Sequence, residues 1–361
     1  MQRRDFLKKA AAGSIVAGTA LAASTAAHAK AEFKWKMVTT WPKNFPGLGT
    51  GANNLAQLIT EMSGGRLTVK VYGAKELVPA FEVFDAVSSG TAEIGHGAAY
   101  YWKGKNPAFQ FFSTVPFGLT ANEMNGWLYY GGGLELWKEA YAPFNVLPAA
   151  AGNTSVQMGG WFNKEINSTA DLKGLKMRIP GLGGEVLRRL GGTPVNLPGG
   201  ELFTALSSGT IDATEWVGPY NDLAFGFYKA AKYYYYPGFH EPGTTLEAII
   251  NKDAFGKLPA DLQAIVMNAC KVVNMDMMAE YTARNPGAMQ TLLNKHKVEL
   301  RIYPEDVLQQ LRKASHEVVA ELAKTDAFSA KVYASYQKFL SDSIAFAAVS
   351  DQAYQNARTE Q

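Results

Sequence analysis

The sequence predicts an α/β protein of two domains, each a mixed sheet flanked by helices, with a ligand cleft between them. A strand–helix–strand–helix–strand order runs from residue 33 to residue 97, which is typical of parallel strands covered by helices. Within it, VFDAVSSGTAEI at 83–94 has a near-copy, LFTALSSGTIDA, at 202–213. Each copy follows a β-type segment at a similar interval. We therefore expect two similar units whose strand ends face one another, where a small ligand would bind.

The elements of the two units follow from their hydrophobic periodicity. In the first unit we expect strands at 33–40, 67–73 and 92–97, and helices within 47–62 and 77–89. In the second unit we expect strands at 177–179, 193–199 and 211–214, and helices at 183–190 and 201–206. Both near-copies end their helix at Ser-Ser-Gly, and glycine suits the left-handed residue that closes a helix.

The remaining segments are predicted to link and cover these units. Further strands are expected at 145–151, 156–163, 244–251 and 298–304. Further helices are expected at 121–141, with a break at Gly131-Gly132-Gly133, and at 220–231, 259–293, 304–323 and 328–346. The helix at 259–293 is expected to break at Asn285-Pro286-Gly287 because proline disrupts helix interiors. The predicted division is 30–152 with about 245–300 as domain I, 153–244 as domain II, and about 301–361 as long C-terminal helices packed on the domains or on a second subunit.

Residues 1–29 have the order of an export signal. A twin-arginine start, RRDFLKK, precedes an Ala/Gly-rich apolar run and the small-x-small sequence Ala27-His28-Ala29. Removing these residues takes away four basic groups and one acidic group, so the formal net charge falls from +3 to zero. We therefore expect a periplasmic protein exported by the twin-arginine route, and no nucleic-acid partner.

Motifs for catalysis are absent from the sequence. It contains no G-x-S-x-G, H-E-x-x-H or Walker pattern. Cys270 is the only cysteine and lies in an apolar helical pattern, which favours a buried thiol over a nucleophile. An exported enzyme acting on a small organic acid remains an alternative, with His96 and His240 as its only candidate bases. The sequence otherwise favours a binding protein without an organic cofactor.

Charged and amide residues at predicted strand ends are the candidate ligand-binding groups. Arg178 ends a short strand, and a guanidinium holds a carboxylate through two parallel hydrogen bonds. Glu215 and Trp216 follow another strand, and Gln157 lies near a predicted crossing between the domains. Glu215 and Gln157 offer the hard oxygens that Na⁺ or Ca²⁺ prefers. The alternatives are a structural ion pair for Arg178, a solvated turn for Glu215 and a core position for Trp216.

The segments LKGLKMRIPG, GGTPVNLPGGELFTALSSGTIDATEWVGPYND and FEVFDAVSSGTAEIGHG, together with the export signal, resemble the solute-binding proteins of TRAP (tripartite ATP-independent periplasmic) transporters. The resemblance covers essentially the whole mature chain. EWVGPYND, with SVQMGGW further upstream, is most similar to the branch that binds 2-oxo and 2-hydroxy monocarboxylates with a cation. A twin-arginine signal departs from the general export route that is common in this family.

The resemblance implies a two-domain periplasmic binding protein fold that closes on a small organic acid without catalysis. It places the ligand carboxylate on Arg178. It places the cation, Na⁺ or Ca²⁺, on the side chains of Gln157 and Glu215 and on the backbone carbonyl of Trp216. Looser matches extend the ligand site to Asn153, Tyr100 and Tyr101. The implied partners are the TRAP membrane permease subunits and, as a further option, a second copy of the chain.

The expected charge balance favours a monocarboxylate. With Arg178, Glu215 and Na⁺, the site carries one positive charge, which one carboxylate neutralises, whereas Ca²⁺ would leave an excess unless another acid contributes. We therefore expect pyruvate or lactate as ligand, with a slight preference for Na⁺. A receptor for a different carboxylate, or one that signals occupancy to a sensor protein, is also compatible with the sequence.

Overall fold

The computed structural model describes residues 31–359, so the predicted export signal lies outside the described residues. The strands are β1 (Phe33–Thr39), β2 (Leu67–Tyr72), β3 (Ile94–Gly97), β4 (Val146–Asn153), β5 (Gly160–Phe162), β6 (Lys176–Arg178), β7 (Thr193–Val195), β8 (Ala213–Thr214), β9 (Tyr233–Tyr236), β10 (Thr245–Asn251) and β11 (Glu299–Ile302). The α-helices are α1 (Leu48–Met62), α2 (Val83–Ser88), α3 (Ala121–Tyr130), α4 (Gly133–Tyr141), α5 (Gly181–Arg189), α6 (Leu202–Ser207), α7 (Pro219–Phe225), α8 (Lys252–Gly256), α9 (Ala260–Asn294), α10 (Glu305–Leu322), α11 (Ala327–Ala347) and α12 (Asp351–Thr359).

Two mixed sheets with helices around them confirm the predicted fold class. The first sheet has the order β2-β1-β3-β10-β4, with β1 parallel to both of its neighbours and β10 antiparallel to β3 and β4. The second has the order β11-β9-β5-β8-β6-β7, with β6 parallel to β7 and β8, and β5 antiparallel to β8 and β9. Each sheet therefore contains a three-stranded parallel unit that continues through antiparallel pairs, and in the second sheet the edge strand β11 pairs in parallel with β9.

The two near-copies occupy equivalent places in the two sheets. In β1-α1-β2-α2-β3 the first strand lies between the other two, and β6-α5-β7-α6-β8 repeats this order. The turn after each helix has the same hydrogen bonds: the Ser89 and Thr91 hydroxyls lie 3.1 Å apart, and those of Ser208 and Thr210 lie 2.9 Å apart. The repeated sequence thus encodes a helix end and the turn into the next strand.

Helix α9 continues through Pro286, so the predicted break at Asn285-Pro286-Gly287 is wrong. Proline removes one backbone hydrogen bond, but two side-chain contacts with α7 hold the turns just before it. The Tyr281 hydroxyl donates to the Asn221 side chain at 2.7 Å, and the Asn285 side chain accepts from the Tyr220 backbone N–H at 3.0 Å. The helix packs on β4 of the first sheet and on α7 beside the second, so it spans both halves of the molecule.

The C-terminal helices cover both halves. Helix α10 packs on α5, and α11 packs on α3 and α4. Between residues 31 and 359, no helix is both long enough and apolar enough to cross a membrane.

Aromatic side chains fill the space between the sheets. The Trp41 and Trp216 rings meet edge to face at 6.2 Å, and Phe45 stacks on Phe225 at 4.2 Å. Trp41 and Phe45 follow β1 of the first sheet, whereas Trp216 and Phe225 follow β8 of the second. The halves therefore meet through rings at the carboxyl ends of their parallel strands, and the candidate site lies beside these contacts.

Replacing either repeated turn glycine by alanine should destabilise the protein to a similar extent. Gly90 and Gly209 have φ angles of 81° and 72°, a conformation that costs a residue with a Cβ roughly 1–2 kcal/mol. Urea unfolding of Gly90→Ala and Gly209→Ala measures this loss. Gly256→Ala, at a helical position where no described atom would crowd the new methyl group, is the control and should be neutral or stabilising. Unchanged stability in both turn variants would contradict the shared role of the turn.

Glu247 should make stability fall as the pH rises. It accepts hydrogen bonds from Trp102 Nε1 at 2.5 Å and from the Tyr141 hydroxyl at 2.8 Å, and burial raises its pKa from 4.5 to about 7. The folded state therefore binds the Glu247 proton more tightly than the unfolded state does. Its contribution to the free energy of unfolding is complete below about pH 4.5 and is lost as the pH rises toward 7.

Glu247→Gln should flatten this dependence, because glutamine can retain both hydrogen bonds without titrating. Within that pH window, one proton changes the free energy of unfolding by up to roughly 1.4 kcal/mol per pH unit. Urea unfolding at pH 5, 6 and 7 tests the expectation, with Glu61→Gln on the exposed side of α1 as the control. Equal slopes for wild type and Glu247→Gln would show that this carboxyl group does not cause the dependence.

Candidate functional site

Strand register brings Arg178 and Glu215 together. Strands β6 and β8 are parallel neighbours, and Arg178 pairs with Thr214, the last residue of β8. The backbone N–H of Glu215 donates to the carbonyl of Arg178 at 3.2 Å. Both side chains therefore leave the same edge of the sheet, where ligands bind in open α/β folds.

Arg178 is held on several sides. Its Nε donates to the Leu197 carbonyl at 3.2 Å, its Nη1 to the Glu215 carboxylate, and its Nη2 to the Tyr101 hydroxyl at 3.4 Å. The guanidinium also lies 5.0 Å from the centre of the Trp216 ring. Burial opposes its charge, but the Glu215 carboxylate together with Tyr101, Tyr100 and Glu241 raises the pKa of Arg178 above its ordinary value. The structural ion pair considered from the sequence is thus present, in a position that also suits an anionic ligand.

A small cavity adjoins this ion pair. Its volume is about 10 Å³, which is close to the space that one water molecule needs. It is lined by Trp41, Leu48, Tyr100, Tyr101, Thr154, Gln157, Trp216, Val217, Thr244 and Leu246. Arg178 contacts two of these lining residues, Tyr101 and Trp216. The lining residues therefore enclose a nearly closed cavity close to a buried positive charge, and a molecule larger than water would require these side chains to move apart.

Gln157 presents a free acceptor at this cavity. Its Nε2 donates to Glu241 Oε2 at 2.8 Å and to Thr154 Oγ1 at 3.0 Å, which fixes the orientation of the amide. Its Oε1 is buried and has no hydrogen-bond partner among residues 31–359. A buried acceptor without a partner carries a desolvation cost, and a bound cation would remove it. The amide thus fits the cation site that the sequence suggested.

Sequence reasoning missed a second acid, Glu241. It accepts from Gln157 and, at 2.6 Å, from the Thr244 hydroxyl. Burial, followed by the charge of Glu215, raises its pKa to about 7. Ligand atoms of Glu215, His240 and Glu241 lie within 4.8 Å of one another, close enough to share a metal ion. The sequence signal that could have found it was His240-Glu241 followed by Pro-Gly, next to the predicted end of domain II at residue 244.

His240 lies beside Glu215, whereas His96 lies in a different environment. His240 Nε2 is 3.4 Å from Glu215 Oε2. His96 accepts from Trp41 Nε1 at 2.7 Å through Nδ1, and its Nε2 donates to the Ala151 carbonyl at 3.0 Å. Burial lowers the pKa of His96 to about 4. Both nitrogens of His96 are therefore engaged in holding the first sheet together.

Of the three residues with looser sequence matches, Tyr100 and Tyr101 line the cavity and Asn153 does not. Tyr100 lines the cavity and meets the Tyr101 ring edge to face at 4.7 Å. The Asn153 side chain instead donates to the Gly243 carbonyl at 3.3 Å and accepts from the Ser155 N–H at 2.8 Å. Asn153 thus joins the two crossing segments and is not among the residues that line the cavity.

Cys270 is fully buried in α9, as the sequence predicts. Burial raises the pKa of its thiol to about 12, so the reactive thiolate is disfavoured.

Comparison with known proteins places this chain in a family. Residues 37–326 match the DctP family, described as bacterial extracellular solute-binding protein, family 7. A protein of Nostoc sp. (strain PCC 7120) named monocarboxylate 2-oxoacid-binding periplasmic protein is 44% identical, and the match covers 99% of this chain and 98% of that protein.

Solved structures agree with this placement. A TRAP periplasmic solute-binding protein of Pseudoalteromonas atlantica, crystallised with sodium and pyruvate, is 46% identical, with a TM-score of 0.88 over 91% of this chain and 99% of that one. One of Colwellia psychrerythraea, crystallised with calcium and pyruvate, is 45% identical, with a TM-score of 0.88 over 91% of this chain and 100% of that one. The resemblance drawn from the sequence motifs is thereby confirmed: the chain belongs to the DctP family of TRAP solute-binding proteins.

Proposed function

We propose that this protein is a periplasmic receptor for a small 2-oxo or 2-hydroxy monocarboxylate, such as pyruvate or lactate, bound together with Na⁺ or Ca²⁺. The observation that carries the proposal is the small cavity between a buried guanidinium and the free amide oxygen of Gln157. Arg178 would hold the ligand carboxylate. Gln157, Glu215 and the backbone carbonyl of Trp216 would hold the cation, which would attract the carboxylate and the oxygen at C2. The relatives crystallised with pyruvate and a cation support this assignment.

The receptor would release its ligand to the permease subunits of a TRAP transporter rather than transform it. Membership of a family of solute-binding proteins supports transport. The two sheets suggest two domains, divided near residues 153 and 245, that close on the ligand. Exposed apolar side chains on the C-terminal helices, Ile344 and Phe346 among them, would suit a homodimer. Export in folded form by the twin-arginine route remains part of the proposal.

Replacing Arg178 should weaken ligand binding severely. Loss of one member of a buried charge pair costs on the order of 2–5 kcal/mol, so Arg178→Ala should lose pyruvate binding by that amount. Arg178→Lys should also bind poorly, because an ammonium cannot form the planar fork of a guanidinium.

Titration calorimetry with pyruvate measures these losses, and circular dichroism checks folding. The lysine variant keeps the charge opposite Glu215, so it separates ligand recognition from stability. Arg284→Ala, on the exposed side of α9, is the control and should bind as wild type does. Near-wild-type affinity in both Arg178 variants would remove Arg178 from the site.

The ligand chemistry can be tested with a short panel of acids. Pyruvate and lactate should bind more tightly than propionate, which lacks the second oxygen for the cation. Succinate should be rejected because a second carboxylate would be buried without a partner. After exhaustive chelation and sodium removal, pyruvate affinity should fall and then recover when either cation is restored. Tight succinate binding with no response to pyruvate or lactate would contradict the proposal.

Incubation of the protein with pyruvate and lactate, followed by mass spectrometry, tests the alternative of an exported enzyme. Conversion of either acid at catalytic rates would contradict a role as a binding protein alone. Recovery of the unchanged acid supports the receptor.

A further inference from the structure

Two ion pairs join the two halves of the molecule beside the candidate site. Lys75 Nζ lies 2.8 Å from Glu201 Oε1, and Lys103 Nζ lies 3.0 Å from Glu185 Oε1. Lys75 follows β2 and Lys103 follows β3, whereas Glu185 lies in α5 and Glu201 directly precedes α6. The first half thus supplies both lysines, and the second half supplies both glutamates.

Each lysine is tied through the backbone to a wall of the cavity. The Lys103 N–H donates to the carbonyl of Tyr100 at 3.2 Å, and the N–H of Ala74, next to Lys75, donates to the carbonyl of Trp41 at 2.8 Å. Tyr100 and Trp41 both line the cavity. An ion pair made by either lysine therefore holds a segment that carries part of the cavity wall.

Both glutamates belong to segments that position Arg178. Helix α5, which carries Glu185, begins directly after the short segment that follows Arg178 on β6. The Glu201 N–H donates to the carbonyl of Pro198 at 3.0 Å, and the neighbouring carbonyl of Leu197 accepts from Arg178 Nε at 3.2 Å. The two ion pairs thus connect the walls contributed by the first half to the charged strand end of the second.

A second cavity shares two tyrosines with the cavity described above. Its volume is about 80 Å³, and Tyr100, Tyr101, Lys103, Glu185 and Arg188 are among the residues that line it. Tyr100 and Tyr101 also line the nearly closed cavity, so they form a partition between the two spaces. The Lys103 and Glu185 side chains are 40% and 33% exposed. Their ion pair therefore closes the second cavity where it meets solvent.

We propose that the pairs Lys75–Glu201 and Lys103–Glu185 form a clasp that holds the two halves together and sets how long a bound acid stays in the cleft. The clasp rests on the proposed function, a receptor that closes on its ligand, and adds the contacts that control release. Its four side chains are between 33% and 65% exposed. Exposed ion pairs are individually weak and are screened by salt. Release should therefore be faster at high ionic strength.

Stopped-flow tryptophan fluorescence, to which Trp41 and Trp216 in the cavity wall contribute, measures release at a fixed, saturating concentration of CaCl₂. The observed rate rises with pyruvate concentration, and its intercept gives the dissociation rate constant. Lys75→Gln and Lys103→Gln should each raise this constant roughly two- to fivefold, and the double variant should raise it further.

Glu201→Gln separates a clasp from simple attraction of the anion by the lysines. If the lysines only attracted the acid, removing a nearby negative charge would slow release. A clasp predicts the opposite, because Glu201→Gln breaks the same pair as Lys75→Gln and should also speed release. The reversal Lys75→Glu should release pyruvate quickly, and adding Glu201→Lys should restore slow release.

Two controls separate the clasp from general charge effects. Lys138→Gln removes an exposed lysine whose partner, Glu135, lies in the same helix, α4, and should keep the wild-type rate constant. Tetramethylammonium chloride raises the ionic strength without adding Na⁺. It should speed release from wild type and have less effect on the Lys75→Gln/Lys103→Gln variant.

A wild-type dissociation rate constant in the Lys75→Gln/Lys103→Gln variant overturns the clasp, and so does slower release from Glu201→Gln. Calorimetry on the same samples separates this inference from the proposed function. A wild-type protein that binds no pyruvate contradicts the proposed function itself. Pyruvate binding with the wild-type release rate in every clasp variant contradicts only this inference.

Discussion

The buried ion pair of Arg178 and Glu215 is the interaction on which the site depends. Both side chains are essentially inaccessible to solvent, and removing two charges from water is costly unless they are paired and hydrogen-bonded. The parallel register of β6 and β8 places Arg178 and Glu215 at neighbouring strand ends, so their pairing does not depend on the conformation of a long loop. Tyr101 and Trp216 then fix the plane of the guanidinium. The charges of the candidate site are therefore positioned by strand ends of the second sheet.

The duplicated unit places charged side chains at the strand ends of one sheet and neutral, ring-bearing side chains at those of the other. Thr39 ends β1 as Arg178 ends β6, and Thr39 pairs with His96 on β3 as Arg178 pairs with Thr214 on β8. In the first half this edge carries neutral hydrogen bonds from Trp41 to His96 and from His96 to β4. The same scaffold thus presents rings from one side and charges from the other.

Local sequence patterns predicted the parts of the site that local structure positions. Arg178 and Glu215 were identified because strand ends can be recognised from short hydrophobic patterns. Glu241 was missed because it lies near Glu215 only through the path of the segment between β9 and β10, which short sequence patterns do not indicate. The continuous helix at Pro286 was missed for a similar reason, since contacts from Tyr220 and Asn221 hold it. Long-range contacts override local propensity in both cases.

The balance of buried charges suggests how the candidate site binds an acid and a cation. Without ligand, the carboxylate of Glu215 compensates Arg178, so the empty cleft does not leave the guanidinium unpaired. A carboxylate arriving alone would add a buried negative charge beside two acids, and a cation arriving alone would add positive charge beside Arg178. Each arrival lowers the electrostatic cost of the other, which is the condition for positive coupling between two ligands. We therefore expect the acid and the cation to bind cooperatively, with Glu215 shared between Arg178 and the cation.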